Sequence, residues 1–214
     1  ESLGGAGTQN AGLAFGGRTP SNVACTEEYN GTAWSGGGAM ATARAYLAGA
    51  GTQDAGLAFG GDDGSSTNTC TEEYNGTAWS TGGAMQVAKF QLAGAGTQNA
   101  GLAFGGKNSS GTVVTCTEEY SGTSWSTGGA MQVARHYLSG AGTQNAGLAI
   151  GGRNNSVFAC TEEYNGSAWS TGGALAVARY SPSGAGTQDA ALAFGGVNSG
   201  FSDITCTEEY NGTA

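Results

Sequence analysis

The sequence predicts an all-β fold, a five-bladed β-propeller of four-stranded antiparallel blades whose last blade lacks its outer strand. Three observations carry that prediction. The text repeats at a fixed period: Cys25, Cys70, Cys116, Cys160 and Cys206 step by 45, 46, 44 and 46 residues, and Trp34, Trp79, Trp125 and Trp169 by 45, 46 and 44. Each unit holds four short runs that alternate at period two or consist of small residues, separated by turn signals, with no sustained helical period. One such sheet cannot bury its own faces, and stacking several copies around an axis removes those faces from water.

Started at a common phase, the units are 1–44, 45–89, 90–135, 136–179 and 180–214, read as one domain over residues 1–214. In the second unit "LAGAG" is the inner strand and "TQDA" a turn. "GLAFGG" then places Leu57 and Phe59 on one face and stops at a glycine pair. After a variable stretch, "CTEEY" puts Cys70, Glu72 and Tyr74 on one face and Thr71 and Glu73 on the other. "NG" signals a tight hairpin, and "TAWSTGGAM" reads as the outer strand. The fifth copy stops at "CTEEYNGTA", before its Trp. A three-stranded fifth blade with an exposed outer edge is therefore expected, in a ring closed by sheet-face packing alone. If that edge is covered, a longer parent chain or a neighbouring subunit supplies the strand.

An Arg, a strand, a second strand ending in Gly-Gly, a Glu-x-Tyr strand and a Trp, here "R…LAGAGTQNAGLAFGG…TEEY…W", resembles the kelch repeat along the whole chain. It departs from that repeat in a short Tyr-to-Trp spacing and an inner strand of Ala and Gly, which suits a ring with few blades and little room at its axis. The wording "AGTQNAGLAFGG" and "TEEYNGTAW" is also similar to kelch-like repeats in tail or fibre proteins of environmental bacteriophages. That resemblance implies host adhesion and an extracellular or virion location, whereas cellular kelch-like rings imply adaptors for protein partners.

Composition narrows the function further. A formal net charge of −9 with seven basic residues gives no basic stripe for a phosphate backbone, so no nucleic-acid partner is expected. No apolar run is long enough to span a bilayer, and no targeting segment opens the sequence, so membrane insertion is not expected. The five cysteines share one phase, which sets them too far apart for disulfides and reads as small buried hydrophobes. His136 is the single histidine, so no metal site, cofactor or oxidase chemistry of the kelch-like kind is expected.

Ten of the sixteen acidic residues are paired glutamates: Glu27 and Glu28, Glu72 and Glu73, Glu118 and Glu119, Glu162 and Glu163, Glu208 and Glu209. Neighbours in a strand point to opposite faces, so these pairs do not converge as catalytic dyads do. One Glu of each pair is expected to meet Arg44, Lys89, Arg135 or Arg179, the basic residues that close the full units. No catalytic residues are assigned, and the chain reads as a non-enzyme. "NGT" and "NGS" at Asn30, Asn75, Asn165 and Asn211 match the glycosylation acceptor but read as turns.

The repeats differ in two places. Between the glycine pair and the Cys stand "RTPSNVA", "DDGSSTNT", "KNSSGTVVT", "RNNSVFA" and "VNSGFSDIT"; after the closing basic residue stand "AYL", "FQL", "HYL" and "YSP". In an up-and-down blade both spots emerge at the same end, on one face of the disc. That face is the candidate binding surface for a cell-surface glycan or protein, because loops on a rigid scaffold commonly carry recognition. Its candidate residues are Arg18, Asn22, Asp62, Asp63, Lys107, Asn108, Arg153, Asn154, Asn155, Phe158, Asn198, Phe201 and Asp203 in the loops, with Tyr46, Phe90, His136, Tyr137 and Tyr180 at the junctions. A structural scaffold or spacer, or an adaptor for protein partners, is the alternative reading.

Overall fold

A computed structural model describes residues 1–213; Ala214, the last residue of the fifth unit, lies outside them. The described residues form an all-β, five-bladed propeller. Blade 1 contains the strands Gly4–Thr8, Ala11–Phe15, Thr26–Tyr29 and Trp34–Gly36, hydrogen-bonded in that order. Blade 2 repeats the meander with Ala48–Gly51, Gly56–Phe59, Thr71–Tyr74 and Trp79–Thr81. Blades 3 and 4 start from Ala93–Thr97 and Ser139–Thr143 and end on Trp125–Thr127 and Trp169–Thr171. Blade 5 has three strands, Ser183–Thr187, Ala190–Phe194 and Thr207–Tyr210. Register repeats as well: Leu57 faces Glu73, Leu102 faces Glu119 and Leu148 faces Glu163.

Alternation along each strand assigns one face to the preceding blade and one to the next. Phe15, Phe59 and Phe104 each meet the Trp of the following blade, with ring centroids 5.0, 5.0 and 4.9 Å apart. The same indoles donate to the preceding blade's threonines, Trp79 Nε1 to Thr26 Oγ1 at 2.8 Å and Trp125 and Trp169 to Thr71 and Thr117 at 2.9 Å. Burying one such aromatic is worth about 1.5–3 kcal/mol, so these stacks carry much of the blade-to-blade adhesion. At the fourth interface Ile150 replaces the Phe, and Thr161 Oγ1 donates to Gly173 O instead.

The glutamate pairs divide between the two faces. The first member takes the preceding unit's cation: Arg44 Nη2 to Glu72 Oε1 at 2.9 Å, Lys89 Nζ to Glu118 at 3.1 Å and Arg135 to Glu162 at 3.0 Å, with Arg179 on Glu208. The second member accepts from the next blade's tyrosine, Tyr74 on Glu28 and, at 2.5 Å, Tyr120 on Glu73, Tyr164 on Glu119 and Tyr210 on Glu163. Burial first and this hydrogen bond second push the Tyr120 and Tyr164 hydroxyls up to about 12. Gln53, Gln98, Gln144 and Gln188 tie the turns, each donating to two carbonyls of the preceding blade.

The small residues of the inner strands answer to the neighbouring blade more than to the axis. A Cβ on Gly49 would sit 2.6 Å from both Gly5 O and Phe15 Cζ, and one on Gly94 2.6 Å from Phe59 Cζ. Only glycine lets the phenyl ring reach the next strand.

Four expectations need correction. The "NG" hairpin is a four-residue loop, because Tyr29 pairs with Trp34 and Asn30 Oδ1 caps the turn by accepting from Thr32 N and Ala33 N. The outer strand is three residues, Trp79–Thr81, and the glycines beyond it cross to the next blade. The cysteines are free and not buried, Cys25 and Cys206 being exposed and the others half-buried. The Cys70 and Cys160 carbonyls accept from Arg44 and Arg135 Nη1 at 2.8 and 2.7 Å, and the Cys160 and Cys206 Sγ atoms accept from Arg135 and Arg179 at 3.0 and 3.3 Å.

The fourth concerns closure. Blades 5 and 1 do not repeat the contacts that join the others: among the described residues Trp34 does not bond Thr207, Tyr29 does not bond Glu209, and Gln9 reaches no carbonyl of blade 5. Trp34 is 54% exposed and Phe194 41%, where Trp125 and Phe59 are 5% and 0%. Sheet-face packing is thus absent at this seam, although all five inner strands line one axial cavity.

Candidate ligand-binding face

Both variable spots lie at one end of each blade because they pair with each other. Ala45 bridges Asp62, Lys89–Phe90 pairs with Lys107–Asn108, His136 bridges Arg153 and Tyr180 bridges Val197. The middle residue of each junction triplet is left-handed: Ser2, Tyr46, Gln91, Tyr137 and Ser181 have φ of 60, 57, 56, 52 and 52°. For non-glycine residues this conformation is costly and needs support from its surroundings. A chain of backbone bonds supplies it, Tyr46 N to Ser2 O at 2.9 Å, Gln91 N to Tyr46 O at 2.9 Å, Tyr137 N to Gln91 O at 3.0 Å and Ser181 N to Tyr137 O at 2.7 Å.

These side chains rim a cavity of about 360 Å³ at the axis, floored by Leu47, Leu92 and Leu138. Tyr137 is its hub. The Tyr46 and Tyr180 rings each lie 6.2 Å from it, His136 lies 4.9 Å away, and Gln91 Nε2 donates to its hydroxyl at 2.6 Å. Gln91 Oε1 then accepts from His136 Nδ1 at 2.9 Å, which places the imidazole proton on Nδ1. Burial, with Lys107 and Arg153 nearby, pushes His136 down to about 4, so the ring is neutral at physiological pH. Arg153 stacks over Tyr180 at 4.8 Å, and Phe90 packs edge-on to Tyr46 at 6.4 Å.

Two further depressions flank the axis on the same face. One of about 470 Å³ between the loops of blades 1 and 2 gathers Arg18, Asn22, Tyr46, Asp62 and Asp63. Asn22 Nδ2 donates across it to Asp62 O at 2.7 Å. Asp63 is held down at about 2, first by the Ser65 N–H and then by Asn68 and Ser66, so it is anionic. The other, of about 400 Å³ between the loops of blades 4 and 5, gathers Arg153, Asn155 and Phe201, which is 74% exposed.

The remaining candidates stand apart from these hollows. Asn108 and Asn198 use their Oδ1 atoms on their own loops, accepting from Thr112 N and Ser202 N. Asn154 Nδ2 donates to Ala134 O, and Lys107, Phe158 and Asp203 line none of the three depressions. Gln91 is the residue that sequence reading missed. Its position in the middle of "FQL", aligned with Tyr46 and Tyr137, was the available signal.

Charge sharpens the picture. Four of the seven basic residues are consumed in buried pairs between blades, and the other three, Arg18, Lys107 and Arg153, all lie on this face. The arrangement can stack on a flat apolar surface and hydrogen-bond at its rim. Among the described residues no group of three metal-binding side chains converges. No protein-family model matches the chain, and no curated protein matches it.

Proposed function

We propose that the protein is a non-enzymatic recognition module whose variable face binds a cell-surface glycan or protein. One observation carries the reading: the junction residues Tyr46, Gln91 and Tyr137 line the axial cavity, and His136, Tyr180 and the loop residue Arg153 pack behind them in one linked cluster. Aromatic faces ringed by fixed hydrogen-bonding groups suit the apolar face and hydroxyl rim of a sugar. The kelch-like and phage-fibre-like wording of the repeat supports an adhesive role outside the cell or on a virion.

The test is a screen of surface glycans and intact cells, followed by Tyr137→Ala, Tyr180→Ala and Arg153→Ala. Binding is expected to weaken by about tenfold or more for the tyrosine variants, as for buried aromatic anchors in general. Binding that ignores these changes but is lost on altering the "TQNA" turns of the opposite face would refute the reading. A scaffold role is the second reading, favoured by the uncovered flanks of blades 1 and 5.

A further inference from the structure

The hollow between the loops of blades 4 and 5 contains a cation with no carboxylate beside it. Arg18 shares its own hollow with Asp62 and Asp63 and commits its Nε to Pro20 O at 2.6 Å, and Lys107 lines none of the three depressions. Arg153 lies over the Tyr180 ring, and its Nε is sealed from water without a partner. Among the described residues its guanidinium makes no ion pair and no hydrogen bond. Stacking fixes the plane of the group and leaves the two Nη atoms as a fork that fits a carboxylate. Asn155, Ser156 and Ser199 add amide and hydroxyl groups to the same hollow, and no acidic side chain lines it.

Phe201 lines the other side, and the repeats show that its placement is costly. The turn that begins at Asn198 is built like the one that begins at Asn108 in the third unit. Gly111 N and Phe201 N donate to the asparagine carbonyl at 2.9 and 3.1 Å, and Thr112 N and Ser202 N donate to its Oδ1 at 3.0 and 3.1 Å. Gly111 fills the left-handed position with φ of 77°, and Phe201 fills it with φ of 60°. A bulky residue is disfavoured there, and burial does not offset the cost, because the ring is 74% exposed. A strained, exposed aromatic beside an unpaired arginine fits a ligand that uses both.

We infer that this hollow binds a sugar that carries a carboxylate, such as a uronic or sialic acid unit, with the carboxylate on the Arg153 Nη pair and the apolar face of the sugar on Phe201. The inference rests on the glycan reading of the variable face and narrows it. One guanidinium matches one negative charge. A polyanion would bring further charges to a chain of net charge −9 with no cation in the hollow to meet them. The amide and hydroxyl groups of Asn155, Ser156 and Ser199 suit the hydroxyls of a pyranose, and an exposed aromatic suits its apolar face.

The probes are methyl glucuronide, its methyl ester, N-acetylneuraminic acid, a sulfated methyl glucoside and N-acetylglutamate amide, each titrated into the isotope-labelled full chain and followed by NMR. At least one acidic sugar should shift the amides of residues 153–156 and 199–202, and the glucuronide should bind about tenfold more tightly than its ester. Arg153→Met keeps a stem over Tyr180 and should erase that preference, and Arg153→Lys, which keeps the charge without the fork, should lose most of it. Phe201→Gly suits the left-handed position, so it should weaken acid and ester alike by about tenfold without lowering the melting temperature. Equal affinity for acid and ester, a preference that survives Arg153→Met, tighter binding of the sulfate or the glutamate amide, or no shift with either acidic sugar overturns the inference. If cell binding still falls with Tyr137→Ala, such a failure leaves the wider reading of the face standing; cell binding indifferent to both Tyr137→Ala and Arg153→Met removes that reading as well.

Discussion

Single residues show how buried charge is used. Arg44 Nη1 holds Gly60 O and Cys70 O at 2.8 Å while Nη2 holds Glu72, so one guanidinium joins two blades. Burial lowers its pKa and Glu72 raises it, leaving a paired cation. Arg44→Ala strands Glu72 and is expected to cost about 3–5 kcal/mol in urea unfolding. Lys89 occupies the same position with an ammonium, which reaches Glu118 but makes neither carbonyl bond. Lys89→Arg should therefore stabilise the protein by about 1–2 kcal/mol, read as a higher melting temperature. His136 supplies a pH effect. Its folded pKa of about 4 lies below the unfolded 6.5, so the fold holds it neutral, and its stabilising contribution is present above pH 6.5 and lost as pH falls towards 4. The loss is expected to be about 2 kcal/mol, since solvent screens part of the effect, and His136→Gln should flatten that step in a pH series of unfolding midpoints.

Elements were legible where alternation governs them. Leu57 and Phe59 share a face, and Glu72 and Glu73 point to opposite neighbours, as period two requires. The length of the hairpin was not legible, because Asn-Gly serves equally in a four-residue loop once Asn30 Oδ1 caps it. Composition reports average burial, so the cysteines read as buried, whereas they lie at strand entries, where the preceding unit's Arg meets the carbonyl of Cys70, Cys160 and Cys206 and, at the last two, the Sγ as well. Inner-strand glycines were read as a response to a crowded axis, and the crowding comes from the adjacent blade. Gly94→Ala would press a methyl group against Phe59 and Gly49, and it is expected to lower stability by about 1–3 kcal/mol in urea titration.

At the scale of the whole molecule, five-fold repetition made the blade count and the single variable face legible, since both follow from period and strand order. Closure was not, because it depends on the angle between blades, and no residue reports that angle. The axial cluster was half legible: the triplets marked its members, but the left-handed turn that aims Tyr46, Gln91 and Tyr137 at the axis is a tertiary feature held by the backbone bonds around the ring. The central claim is that this face, and not the scaffold, carries recognition. Replacing all five variable loops and junction triplets with those of the third unit leaves the strands of the five blade sheets unchanged and makes the face uniform. Binding of this variant to whichever cells or glycan a screen of the native chain identifies is the most direct measurement. Loss of binding with an unchanged melting temperature is the predicted result, and binding equal to that of the native chain would contradict the claim.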